Sequence, residues 1–137
     1  MNKVLTRTAI AVAVAAAFSV AMAKDVALKL TGAEETPAVE TKATGMGKIT
    51  VGDDMTVKGS VKTSGIMGTA AHIHEAPPGK AGPPIITLTK SGDDTWTVPD
   101  GSKLTAAQYE SFKAGNLYVN VHSAEHKPGE IRAQLKP

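Results

Sequence analysis

The sequence predicts an all-β domain with one short helix, an antiparallel β-sandwich or barrel. Three observations carry that expectation. Apolar and polar residues alternate at period two over most of the chain after Lys24, clusters of Gly, Pro and Asp interrupt the alternation at short intervals, and one segment carries the chemistry of a helix start.

Residues 1–23 read as an export signal rather than as part of the domain. Lys3 and Arg7 form a positive start, Ile10 to Val20 is a nearly unbroken apolar stretch too short for a bilayer span, and Ala21-Met22-Ala23 has the small-x-small cleavage pattern. Lys24 rather than cysteine follows Ala23, so no lipid anchor is expected. The domain is expected over residues 24–137, in the periplasm or secreted.

The first strand follows from Val26, Leu28 and Leu30 alternating with Ala27, Lys29 and Thr31. Ile49 and Val51 continue the pattern, and the Gly52-Asp53-Asp54 turn makes a hairpin with Met55, Val57 and Val61. The run Ala70 to Glu75 leads into Ala76 to Pro84, where four prolines forbid regular helix and sheet and leave an extended loop. Strands are expected at Ile85 to Thr89 and Thr95 to Val98, with Ser91-Gly92-Asp93-Asp94 turning between them. Thr105-Ala106-Ala107-Gln108 is a capping box. Tyr109 and Phe112 give an apolar i, i+3 pair and Gly115 suits the position past the end, so a short amphipathic helix is expected here. The last strands are Asn116 to His122 and Glu130 to Leu135, joined by the loop Ser123 to Gly129.

Composition excludes several functions. The chain of 137 residues carries 15 Lys and Arg against 13 Asp and Glu; with Lys3 and Arg7 in the signal, the domain balances at 13 against 13. The electrostatic ground for nucleic-acid binding is thereby removed. Trp96, Tyr109, Phe112 and Tyr118 are too few for a base-stacking platform. Beyond Lys24 no segment is apolar and long enough to span a membrane. There is no cysteine, so the domain must hold by packing alone, and histidine is its strongest soft-metal ligand type.

The histidines are His72, His74, His122 and His126. His72-Ile73-His74 puts two imidazoles on one face of a strand, roughly 6.5–7 Å apart, within leaning distance of one metal at about 2 Å each. In Leu117 to His122 the aliphatic Leu117, Val119 and Val121 take the core face, which turns Tyr118, Asn120 and His122 outward; likewise Ile131, Ala133 and Leu135 face in, and Arg132 and Gln134 face out. One reading converges His72, His74 and His122 on a metal, with His126 or water completing the shell. The other leaves three solvated imidazoles on an outer face, because spacing alone does not make the two strands neighbours. Met46, Met55 and Met67 read as core filling rather than as a copper(I) site. Glu34 and Glu35 read as solvated loop charges, and Asp53-Asp54 and Asp93-Asp94 as turn formers. No nucleophile elbow supports a hydrolase, and Gly45-x-Gly47 is not a dinucleotide fingerprint.

Three segments together resemble the CHRD domain, named for its repeats in the extracellular protein chordin and found alone in exported bacterial proteins. They are Leu30-Thr31-Gly32-Ala33-Glu34-Glu35-Thr36-Pro37, then Ala71-His72-Ile73-His74-Glu75-Ala76 with Gly79 and Gly82-Pro83, and Gly115 to Ser123 with Pro128 to Leu135. A more distant likeness is to the Greek-key β-sandwich of copper/zinc superoxide dismutase, in which a His-x-His-Glu strand and a later Val-x-His strand place imidazoles on copper and an arginine near the chain end guides the anion. That likeness implies a mononuclear site of copper or zinc at His72, His74 and His122, with Arg132 as the anion guide and Glu75 behind the ligands. The short Pro77 to Pro84 loop carries no bridging histidine, so a zinc subsite is not implied and redox cycling lacks its bridging ligand. A metal-binding or storage module is therefore expected before a dismutase-like enzyme. A metal-free module for an unknown protein partner is the further alternative.

Overall fold

The computed structural model describes residues 10–13 and 22–137. Most of the expected export signal, residues 1–9 and 14–21, lies outside the described residues. The elements run β1 (Ala23–Thr31), a 3-10 turn (Gly32–Glu34), β2 (Thr44–Gly52), β3 (Val57–Ser64), β4 (Gly68–Glu75), β5 (Pro84–Thr87), β6 (Thr89–Gly92), β7 (Thr95–Thr97), α1 (Ala106–Lys113), β8 (Leu117–Ser123) and β9 (Ile131–Leu135). The all-β class with one helix stands as expected.

The strands form one antiparallel sheet in the order β5-β4-β8-β9-β1-β2-β3-β7-β6. Its two ends must meet. β5 pairs with β4 and β6 with β7 at opposite ends of that order, yet Leu88 alone separates β5 from β6 in sequence. Residues two positions apart lie within about 7 Å, so the sheet curls into a nearly closed barrel, with the Leu88 amide still bonded to the Ala71 carbonyl of β4 at 2.9 Å as the chain leaves β5. The single strand expected at Ile85 to Thr89 is thus two, because the chain changes partner at Leu88. Crossovers from β3 to β4 and from β7 to β8 give the order its Greek-key character.

The alternating aliphatics fill the interior. Val26, Leu28, Leu30, Ile49, Val51, Val57 and Val61 pack with Ile73, Val119, Val121, Ile131 and Leu135 in one cluster, all buried; each such side chain contributes roughly 1.5–3 kcal/mol of burial. α1 closes one side of this core through Phe112. Its capping box forms as read, Gln108 N donating to Thr105 Oγ1 at 3.2 Å and Thr105 N to Gln108 Oε1 at 2.9 Å. The methionines depart from expectation. Met67 is 90 % and Met46 70 % exposed, since Met67 falls in the β3–β4 connection and Met46 on the outer side of β2, and only Met55 packs against the core.

Candidate metal centre

The interior packing decides where the histidines point. Ile73 opposes Val119 in the β4–β8 pairing and both face the core, so side-chain alternation sends His72 and His74 to the outside of the barrel. The same pairing sets Ala70 opposite His122, His72 opposite Asn120 and His74 opposite Tyr118. The strand adjacency that spacing left open is therefore present, and the ligand atoms of His72, His74 and His122 lie within 4.8 Å of one another.

Each ring is oriented by a specific partner. His74 Nδ1 donates to the Gly82 carbonyl at 2.9 Å and His122 Nδ1 to the Lys127 carbonyl at 2.7 Å, leaving Nε2 of each ring as a lone pair. His72 Nδ1 stands 3.0 Å from His122 Nε2. His74 is buried, whereas His72 and His122 are half-buried, so the cluster opens outward past those two rings. Burial pushes the His72 and His74 pKa values down, with neighbouring rings and, at His74, the Arg132 charge adding to the effect, and the Gly82 carbonyl and the Asn120 side chain only partly offset it at His74. Neutral imidazoles are thereby favoured, which is the form a metal takes.

Two loops hold this arrangement. The first, between β4 and β5, closes over β9: Arg132 donates to the carbonyls of Lys80 (2.8 Å) and Pro77 (3.2 Å) and to Gln134 Oε1 (2.7 Å), and Gln134 Nε2 donates to those of Ala76 (2.8 Å) and Gly115 (2.9 Å). Tyr118 lies between the Arg132 guanidinium, 3.5 Å from its ring centre, and the parallel His74 ring at 4.8 Å. Gly82 is sterically required, because a Cβ there would overlap the Glu75 carbonyl oxygen. The second loop, Ser123 to Gly129 before β9, is fixed by Glu130, whose carboxylate accepts from Ser123 Oγ at 2.7 Å and Thr41 Oγ1 at 2.8 Å.

Several expectations need correction. The outer face is not solvated: all of β9 and all of β8 except His122 are buried, because these loops cover them. Arg132 shares the histidine face but is 1 % exposed with its donors turned to loop carbonyls, not to an arriving anion. His126 is outside the histidine group; its backbone instead bonds Ser123. Glu75 opposes the core residue Leu117 and so falls on the other face of β4. Glu35 is no solvated loop charge but 9 % exposed, and burial raises its pKa. The residues that sequence reasoning left without a role are Asn120, Tyr118, Gln134 and Glu130. Their signal was the polar half of the β8 and β9 alternation, which marks a face but not what covers it.

A family model described as the CHRD domain matches residues 26–135. No curated protein and no solved structure matches the chain.

Proposed function

The chain belongs to the CHRD domain family, and on that premise we propose that this member is an exported module that binds one divalent transition metal, copper or zinc, through His72, His74 and His122. The observation that carries the reading is the convergence of three imidazoles within 4.8 Å, two of them with Nδ1 committed to a backbone carbonyl and the Nε2 lone pair turned into the cluster, unpartnered at His74 and met by His72 Nδ1 at His122. Histidine ligands held through their second nitrogen are the usual form of such a site. Two ligands about 2 Å from one ion stand at most about 4 Å apart, so small ring rotations suffice to close the group. The buried, unpartnered Nε2 of His74 supports the fit, since without a ligand its desolvation goes uncompensated.

Binding or storage is favoured over turnover. The likeness to copper/zinc superoxide dismutase is supported by the antiparallel barrel and by the adjacency of β4 and β8, but its anion-guiding arginine corresponds here to a guanidinium spent on loop carbonyls. Export rests on the signal-like residues 1–23 and is tested by N-terminal sequencing of the protein recovered outside the cytoplasm. The metal reading is tested by calorimetric titration with copper(II) and zinc(II): uptake of about one equivalent is expected, abolished in His72→Ala, and equal uptake by the variant would sink the site.

A further inference from the structure

We propose that the side-chain oxygen of Asn120 is a fourth protein ligand of the ion, its amide held in register by the Pro128 carbonyl; this rests on the three-histidine reading above. Asn120 opposes His72 on β4 and Arg132 on β9, so its side chain stands on the histidine face, where it is 1 % exposed. Its orientation follows from its neighbours. Nδ2 donates to the Pro128 carbonyl at 3.3 Å, and Glu35 Oε1, itself without a hydrogen-bond partner, lies beside the same amide at Gly129; both are acceptors, so the NH2 belongs on that side and Oδ1 is left toward the histidine face. Gly129 makes room for the pair, since a Cβ there would run into Asn120 Nδ2 and Glu35 Oε1.

Asn120 Oδ1 and His74 Nε2 are both buried without a hydrogen-bond partner. With the His74 proton on Nδ1 toward Gly82, Nε2 presents a lone pair, and so does the amide oxygen. Two buried acceptors therefore stand on the same face of neighbouring strands, each without a donor. Each such orphan is desolvated with no bond in return, and a cation between them satisfies both. Three imidazoles and one neutral oxygen form a donor set for a divalent borderline ion rather than for copper(I), which prefers sulfur.

Cobalt(II) is the probe, because its visible ligand-field spectrum reports the donor set. In the full protein Asn120→Ala should weaken cobalt(II) binding by at least about tenfold, while Asn120→Asp, which places a carboxylate oxygen at the same point, should restore binding and shift the ligand-field band. An Asn120→Asp band and affinity identical to wild type would overturn the inference while His72→Ala still loses cobalt. Equal cobalt uptake by His72→Ala and wild type would instead overturn the three-histidine reading beneath it. The wild-type protein gives a check independent of variant folding. Zinc(II) should move the Asn120 side-chain carbonyl 13C resonance downfield, and an unmoved resonance in the zinc-loaded protein would contradict ligation.

Discussion

The two sides of the barrel are built differently. Along β2 and β3 the inner residues are buried and most outer ones, such as Met46, Lys48, Lys58 and Lys62, lie open to solvent. Along β8 and β9 the inner residues are as apolar, yet the outer ones, Tyr118, Asn120, Arg132 and Gln134, are buried too. The first side obeys the simple rule of a half-wetted antiparallel sheet. The second carries a polar core outside the hydrophobic one, roofed by two loops, and the histidines stand at its rim. A buried polar layer needs its partners satisfied to be tolerated, so loops and strand side chains are mutually dependent there in a way that β2 and β3 are not.

The strongest way to break this contrast is Arg132→Ala. Removing the guanidinium strips the carbonyls of Lys80 and Pro77 and the Gln134 oxygen of their donor and leaves Tyr118 unstacked on one side. A loss of about 3–5 kcal/mol in urea unfolding is expected, with weakened metal uptake as the β4–β5 loop lifts. Gly82→Ala comes next. The added Cβ must push the loop from the Glu75 carbonyl, costing about 1–3 kcal/mol and freeing His74 from its orienting bond, so that metal affinity falls by about 10–100-fold.

Acid should act on the polar side as well. His72 and His74 have pKa values pushed down, chiefly by burial. Above the unfolded value of about 6.5 both are neutral folded and unfolded, and they contribute nothing. Below it the unfolded chain takes protons that the folded one refuses, so stability falls as pH drops from about 6.5 toward the folded values and then levels off. Unfolding midpoints that stay flat over this window in wild type, or fall equally in a His72→Ala, His74→Ala double variant, would contradict that assignment. The smallest effect belongs to the wetted side. Lys48→Ala breaks a 3.6 Å pair with Asp25 whose side chains are both more than half exposed, and the thermal melting midpoint should stay indistinguishable from wild type.

The same contrast explains what could be read in the sequence. Period-two alternation placed Val26, Leu28, Leu30, Ile49, Val51, Leu117, Val119 and Val121 on the core face, and local capping chemistry located α1. Alternation also put His72, His74 and His122 on one side. It could not say that this side is covered, because the cover comes from loop carbonyls at Ala76, Pro77, Lys80 and Gly82, and backbone groups leave no side-chain signature. Glu35 was misjudged for the same reason: in sequence it is a charge in a loop, and only the fold sets it beside Asn120 and Gly129. The split at Leu88 was hidden because a strand that changes partner looks, residue by residue, like one that does not.

The central claim is that the rim of this polar core holds one metal by three imidazoles. X-ray absorption at the metal edge of the zinc-loaded protein tests it most directly. Three nitrogen scatterers at about 2.0–2.1 Å, with the outer-shell pattern of imidazole rings, are expected, and that pattern should be lost in His72→Ala. A shell of oxygen alone, with no imidazole outer scattering, would contradict it.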